Sequence, residues 1–319
     1  MSLRVAVQMD PLESIGIAGD STFALMLSAQ ARGHQLFHYL ADQLSYEDGR
    51  VSALARPVTV QRVQGDHFAA GEPVRLDLAR DVDVVLMRQD PPFDIGYITA
   101  TYLLERIASE TLVVNDPRSV RDAPEKLFVL DFARFMPPTL ITRSLAEVQA
   151  FRERHGEVVV KPLHGNAGAA VFKIGRDGAN LGALAELFTH VWREPFIVQA
   201  FLPAVADGDK RIVLIDGEVA GAINRRPGMG EIRSNLAAGG SAEKVELTDR
   251  EQEICAALGP ELRQRGLLFV GIDVIGGMLT EINVTSPTGI VAIDRFNGTD
   301  TPALIWDAIE RRHAEHRST

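Results

Sequence analysis

The sequence predicts an α/β domain at the N-terminus, followed by a second region in which short strands and helices alternate less regularly. In the first region, apolar strand candidates alternate with helix candidates, which is typical of a sheet with crossover helices. After residue 117 the pattern changes, and two strand-rich stretches appear at 211–223 and 268–284. We therefore place the main boundary of the chain near residues 117–123.

Local signals predict the elements of the first region. The strand candidates cover residues 3–9, 36–40, 82–87 and 112–115, and the helix candidates cover residues 20–32 and 99–109. Asp20 or Ser21 can cap the first helix, and Gly33 can end it. Residues 82–87 are almost all apolar, as expected for a buried parallel strand. Residues 49–73 give a poor signal, and we expect edge strands or a loop there.

The second region begins with a predicted helix at 123–135, which Pro137 and Pro138 would end. Further helices are predicted at 146–155, 181–189, 250–265 and 303–313, and further strands at 158–161, 170–174 and 196–199. The single cysteine, Cys255, falls within a predicted helix, and we interpret it as a small core residue rather than a nucleophile.

Composition and charge exclude several classes of protein. The net charge of −10 would repel a phosphate backbone, so nucleic acid is not expected as a partner. One cysteine cannot build a disulfide framework or a thiolate metal site. The chain has no apolar run of about 18 residues, so we expect no membrane span and a soluble, cytoplasmic protein. An anionic ligand would have to be bound by locally clustered Lys and Arg.

Two carboxylates and an amide occupy one predicted β-hairpin, at residues 269–284. If its loop is the three residues 276–278, Asp273 lies opposite Glu281, and Asn283 shares their face. A two-residue turn would place the two acids on opposite faces, and they would then belong to a solvated polar surface. Facing carboxylates require a positive partner, and these hard oxygen ligands suit Mg²⁺. The sequence thus leaves two readings open, a metal site and a solvated face.

Cationic residues stand beside glycine-rich segments. Lys161 ends an apolar strand and precedes the small-residue loop 164–170, whose backbone could approach a phosphate or form a plain turn. Further cations lie in the helix after the boundary and around a second glycine-rich segment: Lys126, Arg211, Arg225, Arg226 and Arg233. That segment is either a solvated surface loop or a lid that closes arginines over an anionic substrate.

Other catalytic patterns are absent from the sequence. It contains no H-E-x-x-H, no G-x-S-x-G and no P-loop signature, so zinc peptidase and α/β-hydrolase readings lose their main support. An acidic hairpin combined with cations from separate elements suits phosphoryl transfer, in which catalysis is largely positioning and charge neutralisation.

Across nearly the whole chain the sequence resembles the bacterial glutathione synthetases, which are ATP-grasp carboxylate–amine ligases. The resemblance rests on several segments in the same order: residues 9–11, 20–23, 87–94, 100–105, 125–128, 208–211, 235–240 and 279–288. It implies a Rossmann-like α/β pre-ATP-grasp domain at 1–120, followed by an α+β ATP-grasp fold of two lobes. The small lobe would cover 121–202, and the C-terminal lobe, with the lid and the metal hairpin, would cover 203–319.

The resemblance also implies roles for individual residues. Asp273, Glu281 and Asn283 would bind Mg²⁺, or Mn²⁺ in its place. Lys126 and Lys161 would contact the phosphates of ATP, and Asp209 would face its ribose. Arg211, Arg225 and Arg233 would bind the dipeptide carboxylates and the transferring phosphoryl group. The adenine pocket would be lined by Gln199, Ala200, Phe201 and Leu202, and the lid, at about 226–240, would contain Arg226, Asn235, Gly239 and Gly240.

The reaction implied by the resemblance is the ligation of γ-glutamylcysteine and glycine to glutathione through an acyl phosphate, with release of ADP and phosphate. A homo-oligomer, such as a tetramer, is also implied. Two alternatives stay open: an ATP-grasp ligase with another acyl donor or amine, and a non-catalytic nucleotide- or peptide-binding module. The segments 164–170 and 289–301 depart from the family pattern. The first carries His164 where an acidic residue is common, and it has fewer glycines than usual.

Overall fold

The computed structural model describes residues 2–165, 168–191, 194–235 and 239–317. Its N-terminal part is an eight-stranded sheet, in which four neighbouring strands run parallel. The strands are β1 (Arg4–Gln8), β2 (Gln35–Tyr39), β3 (Leu44–Glu47), β4 (Arg50–Val60), β5 (Phe68–Ala70), β6 (Val74–Asp77), β7 (Val84–Met87) and β8 (Leu112–Val114). Their order is β3-β4-β2-β1-β7-β8, and β5 and β6 also pair with β4.

The helices of this part begin at side-chain caps. Helix α1 (Ser21–Ala31) is capped by Asp20, as predicted, and its C-terminal end is followed by Gly33 with a φ of +81°. Helix α2 (Ile95–Glu105) begins four residues earlier than predicted, because Asp94 accepts a hydrogen bond from the Tyr97 amide and caps it there.

Residues 50–60 correct one prediction. They form β4, an eleven-residue strand that pairs with β2 on one side and with β3, β5 and β6 elsewhere along its length. Val51, Ala53 and Ala55 are fully buried with period two. Alanine contributes little to a hydrophobic pattern because its side chain is small. The sequence therefore predicted an edge strand or a loop here, although β4 lies inside the sheet.

Short helices lead from this sheet into the second region. They are α3 (Pro117–Asp122) and α4 (Glu125–Phe128), and a 3₁₀ segment, Val129–Phe135, continues α4. The predicted helix at 123–135 is therefore not continuous. It starts at Glu125, after Pro124, is α-helical only to Phe128, and has non-helical backbone angles at Phe132.

A four-stranded antiparallel sheet forms the small lobe. Its elements are β9 (Thr139–Thr142), α5 (Leu145–His155), β10 (Val158–Pro162), β11 (Phe172–Ile174), α6 (Leu181–Val191) and β12 (Phe196–Ala200), and its strand order is β11-β10-β12-β9. This lobe has a hydrophobic core of its own, which includes Phe151, Phe188 and Phe196.

A five-stranded antiparallel sheet with order β15-β14-β13-β16-β17 forms the C-terminal lobe. Its elements are β13 (Asp209–Ile215), β14 (Glu218–Arg226), β15 (Ser241–Lys244), α7 (Asp249–Gln264), β16 (Phe269–Ile275), β17 (Met278–Asn283), α8 (Ile290–Asn297) and α9 (Thr301–His316). Cys255 is buried in α7, as predicted, and burial raises the pKa of its thiol to about 12.

The hairpin β16–β17 differs from the prediction in its register, but Asp273 and Glu281 still face each other. The loop has two residues, Gly276 and Gly277, both with positive φ, rather than three. A bulge compensates, because Thr280 is an extra residue on β17 whose hydroxyl donates to the carbonyl of Asp273 at 3.1 Å. Asp273 therefore lies directly opposite Glu281 after all.

The N-terminal sheet and the C-terminal lobe share hydrophobic cores, whereas the small lobe is separate. One cluster joins β1 and α1 to α9, where the indole of Trp306 donates to the carbonyl of Leu25 at 2.8 Å. The cleft between this shared body and the small lobe is where the predicted site residues converge. No helix in the described part of the chain has both the length and the apolar character needed to cross a bilayer.

Candidate active site

Two adjoining cavities lie in the cleft, and Glu281 and Asn235 line both of them. The first cavity is lined by these predicted site residues: Lys161, Gln199, Ala200, Phe201, Leu202, Asp209, Arg233, Asn235, Asp273 and Glu281. The second is lined by Arg211, Arg225, Asn235, Glu281 and Asn283, together with Asp90, Glu125 and residues 285–289. Most of the predicted site residues are thus brought to two connected spaces.

Asp273 is held by two arginines from neighbouring strands. Arg211 lies opposite it across the β13–β16 ladder and donates from Nε at 2.6 Å and from Nη2 at 3.0 Å. Arg225 on β14 approaches the same carboxylate at 2.9 Å. Burial alone would raise the pKa of the Asp273 carboxyl, but the two arginines outweigh it and hold the pKa well below its usual range. The positive partner that the hairpin requires comes from outside the hairpin.

Asp209 extends this charge network. One of its carboxylate oxygens accepts from Arg225 at 2.7 Å and from the hydroxyl of Ser234 at 3.0 Å, while the other is buried and has no hydrogen-bond partner among the residues that the structure describes. Burial raises the pKa of Asp209 to about 6, against the effect of Arg225. The unpartnered oxygen belongs to a residue that lines the first cavity, so a donor group of a bound molecule could satisfy it.

Glu281 is flanked by two lysines from different elements. The ammonium groups of Lys161 on β10 and Lys126 on α4 lie 3.5 Å and 3.7 Å from the same oxygen of Glu281. Lys126 also donates to the carbonyl of Gly165 at 2.5 Å and is almost completely buried. Burial would raise the pKa of Glu281, but these two lysines lower it overall. The lysines are therefore already positioned at the wall between the cavities.

The segment predicted to bind adenine is the end of β12 and the residues that follow it. Gln199 is buried and donates to the hydroxyl of Thr139 at 3.1 Å. The amide of Phe201 donates to the carbonyl of Glu157 at 2.9 Å, and Lys173 lies 3.8 Å from the centre of its ring. These contacts fix the segment along one wall of the first cavity.

The predicted lid residues lie in different settings. Arg233 donates to Glu231 at 2.6 Å and lines the first cavity, and Asn235 lies against Gly168 of the small lobe. Arg226, by contrast, is exposed and pairs with Glu243 at 2.7 Å, away from both cavities. Gly239 has a φ of +90°, and the amide of Gly240 donates to the carbonyl of Asn235. Residues 236–238 of the predicted lid lie outside the described part of the chain.

Sequence reasoning missed several residues that line the second cavity. Glu125 accepts from the hydroxyl of Thr285 at 3.4 Å, and burial, reinforced by Glu281 and opposed by Lys126, raises its pKa to about 7. The carbonyl of Thr288 accepts from Arg211 at 3.1 Å. Glu125 and Thr288 both belong to motifs that carry the family resemblance. The polar residues directly after β17 were the sequence signal by which this wall of the cavity could have been found.

The acidic hairpin fits a divalent cation in donor chemistry. In the described residues no group of three or more His, Cys, Asp or Glu side chains is arranged to hold a metal, but the predicted set contains only two carboxylates and an amide. Glu281 faces both cavities, Asp273 lines the first and Asn283 the second. Hard oxygen ligands at such a boundary suit an ion that takes its other ligands from phosphates and water.

Two family comparisons cover most of the chain. Residues 3–121 match the prokaryotic glutathione synthetase N-terminal domain, and residues 125–298 match the prokaryotic glutathione synthetase ATP-grasp domain. The glutathione synthetase of Rhodopseudomonas palustris is 59% identical over 98% of this chain and 100% of that protein. That of Bradyrhizobium diazoefficiens is 58% identical over 99% of this chain and 100% of that protein.

Solved structures show the same fold at low identity. D-cycloserine synthetase DcsG superposes with a TM-score of 0.69 at 18% identity, over 97% of this chain and 99% of that one. A RimK domain ATP-grasp protein from Sphaerobacter thermophilus gives 0.62 at 18% identity, over 96% and 98%. ATP-grasp enzymes of this kind use ATP and, in general, a divalent metal ion. The chain thus belongs to the prokaryotic glutathione synthetase family and is an ATP-dependent ligase with an ATP-grasp fold.

Proposed function

We propose that this protein joins γ-glutamylcysteine to glycine and forms glutathione, ADP and phosphate. The observation that carries the proposal is the position of Glu281, which lines both cavities and lies beside two lysines. A nucleotide in the first cavity and an acyl donor in the second would meet at this residue. The family membership of the chain supports the identity of the substrates.

The first cavity would hold ATP. The β12 segment from Gln199 to Leu202 would contact the adenine, and the unpartnered oxygen of Asp209 would accept a hydrogen bond from the ribose. Lys161 and Lys126 would then leave Glu281 and pair with the phosphates, since their ammonium groups already lie beside the residue that borders both cavities. Their charge would offset the charge that develops as the γ-phosphoryl group transfers.

Asp273, Glu281 and Asn283 would hold Mg²⁺, or Mn²⁺ in its place. The ion would supply charge neutralisation at the phosphate oxygens. Asp273 now shares its oxygens with Arg211 and Arg225, so metal binding would loosen these pairs and leave both arginines available to anions in the second cavity.

The second cavity would bind the acyl donor through Arg211 and Arg225. Guanidinium groups suit carboxylates because they offer parallel hydrogen bonds in a fixed plane. The cysteinyl carboxylate would attack the γ-phosphorus of ATP and form an acyl phosphate while ADP leaves. The amine of glycine, after losing a proton, would attack the carbonyl carbon and release phosphate. Arg233 and Asn235 would close the first cavity and keep water from the acyl phosphate.

Phosphate release from Mg-ATP tests the proposal directly. With γ-glutamylcysteine and glycine both present, we expect one ADP and one phosphate per glutathione formed, and omission of either substrate should stop sustained turnover. Turnover with a different amine or acyl donor, and none with this pair, would instead identify another ATP-grasp ligase. A protein that binds ATP but turns over with no donor would be a binding module.

We further propose that the enzyme works in the cytoplasm as a homo-oligomer, such as a tetramer, with small-molecule substrates. The net charge of −10 does not favour nucleic acid as a partner. Sedimentation of the purified protein would test the oligomeric state.

A further inference from the structure

The loop after β10 carries a histidine that the proposed reaction leaves without a role. His164 follows Leu163, which is buried, and begins the loop at 164–170. The side chain of His164 is partly buried and does not line either cavity of the proposed active site. Its environment, rather than its sequence motif, indicates what it does.

The imidazole of His164 stacks on an aromatic ring of the N-terminal domain. The ring centres of His164 and Phe93 are 6.0 Å apart, and their planes differ by 26°. Phe93 in turn contacts the buried ring of Tyr97 on α2, with ring centres 5.2 Å apart. A row of three rings therefore connects the small lobe to the body of the N-terminal domain.

Two further residues of the same loop, Gly165 and Gly168, lie next to side chains of the active site. The carbonyl of Gly165 accepts from Lys126, which lies beside Glu281. At Gly168, a Cβ atom would stand 2.7 Å from the side-chain oxygen of Asn235 and 3.3 Å from Cδ of Arg233. The loop therefore lies between the N-terminal domain, the lysine at the cavity boundary, and the lid.

Phe93 belongs to a segment that also forms the second cavity. Asp90 and Pro91 line that cavity, while Pro91, Phe93 and His164 line a small cleft beside it. The amide of Asp90 donates to Asp10 at 2.8 Å, which ties the segment to the end of β1. A molecule that orders residues 90–93 from the second cavity would therefore also act on the ring under His164.

We propose that the Phe93–His164 stack is a positioning contact that holds residues 164 and 165, directly after β10, in place and couples the acyl-donor cavity to the nucleotide cavity. The coupling rests on the proposed function, whereas the positioning of the loop does not. With the ring contact present, residues 164 and 165 are already in position when the nucleotide arrives, so less ordering remains to be done on binding. A donor that orders the Asp90–Phe93 segment would tighten nucleotide binding through the same contact. The nucleotide would then tighten donor binding by the same factor.

The contact depends on the ring rather than on a charge. Burial lowers the pKa of His164, Glu194 opposes this effect and Lys126 adds to it, so the imidazole stacks mainly as a neutral ring. A phenylalanine at position 164 should therefore preserve the contact, while an alanine should remove it. This difference separates stacking from hydrogen bonding or proton transfer by the histidine.

The test is calorimetric titration of the full-length protein with the Mg²⁺ complex of β,γ-imido-ATP, with and without γ-glutamylcysteine. His164→Ala and Phe93→Ala should each weaken nucleotide binding alone by about three- to tenfold, and they should reduce the donor's effect on nucleotide affinity by a similar factor. His164→Phe should behave like the wild type in both arms. The double alanine variant should lose no more than either single variant, because both remove the same contact.

His155→Ala is the matched control, since the ring of His155 contacts that of Phe151 in α5, with ring centres 4.4 Å apart and planes tilted by 45°, and His155 lines neither cavity. It should leave both affinities unchanged. Unaltered nucleotide binding in His164→Ala, or equal losses in His164→Phe and His164→Ala, would overturn the positioning role. If γ-glutamylcysteine left nucleotide affinity unchanged in the wild type, the coupling would be overturned, whereas the identity of the donor is decided separately by phosphate release and glutathione formation. The titration with nucleotide alone would still decide the role of the stack.

Discussion

Arg211 and Asp273 face each other across the β13–β16 ladder and are joined by two hydrogen bonds of 2.6 Å and 3.0 Å. The arginine lines the second cavity, and the carboxylate lines the first. Arg225 approaches the same carboxylate at 2.9 Å. The proposed metal ligand and the proposed anion-binding arginines are thus direct partners before any substrate binds.

Removing the charge of Asp273 should destabilise the ligand-free protein. Asp273→Asn preserves the volume of the side chain but leaves the buried guanidinium of Arg211 without its carboxylate and Arg225 with Asp209 alone, so we expect a loss of about 3–5 kcal/mol in the free energy of unfolding. Urea denaturation in the presence of EDTA measures it. Glu253→Gln removes an exposed pair with Arg250 and should cost less than about 1 kcal/mol. Equal losses in the two variants would show that the buried network contributes no more than a surface pair.

Glu281→Gln should abolish ligation while the fold is preserved. The amide has almost the same shape, but it cannot offset the charge of Lys126 and Lys161 or serve as a carboxylate ligand. We expect glutathione formation to fall by at least about 10²-fold, with an unchanged far-ultraviolet circular dichroism spectrum. Turnover like that of the wild type would remove Glu281 from the proposed metal set.

The stability of the ligand-free protein should depend on pH through Glu125. Burial raises the pKa of this carboxyl from 4.5 to about 7. A group of this kind stabilises the folded state below its ordinary pKa, and the contribution is lost as the pH rises through the folded value. A shift of this size corresponds to about 3 kcal/mol. Relative to Glu125→Gln, the wild type should therefore lose about that much unfolding free energy between pH 4.5 and 8, as urea titrations in EDTA would show. Parallel pH profiles would contradict the raised pKa.

Arg233→Ala should mainly impair the chemical step. Arg233 lines the nucleotide cavity and is oriented by Glu231, which accepts from the guanidinium and from the amides of Ile232 and Arg233. Removing a group that meets developing charge lowers turnover by about 10²–10³-fold, and KM for ATP should change little. An unchanged turnover number would exclude this role.

Glu231→Ala should give a smaller loss of the same kind, about tenfold in turnover, because the arginine remains but is no longer oriented. Glu218→Gln supplies the control, since it removes a surface glutamate that pairs with Arg263 outside the site. If Glu231→Ala raised KM for ATP instead, Glu231 would serve binding rather than orientation.

Gly168→Ala should uncouple ATP consumption from ligation. The added Cβ would meet the side-chain oxygen of Asn235 at 2.7 Å, and the φ of +75° also disfavours an L-residue. The lid could then not seat on the loop, and water would reach the acyl phosphate. The ratio of ADP to glutathione should rise above one, whereas a ratio of one would indicate that the lid still closes.

Parts of the fold could be predicted because their signals are local. Asp20 marks the start of α1 by capping its first turn, and the alternation of Ile272, Val274 and Ile282 places the acids of the hairpin on the opposite face. The strand β4 escaped prediction because its buried positions include the small residues Ala53 and Ala55. The short helix α3 was not predicted, because six residues are too few to show a helical period, and no proline or glycine marks the kink at Phe132.

The sequence by itself determined the family, the acidic hairpin and the kinds of residue that the site requires. Periodicity and motifs can be recognised along the chain without knowing which distant residues meet. Only the tertiary structure decided which charges meet. Arg211 is 62 residues from Asp273, and Lys161 is 120 residues from Glu281, so no local pattern pairs them. It also decided how the two acids come to face each other, because a two-residue turn does so only when Thr280 bulges out of the ladder.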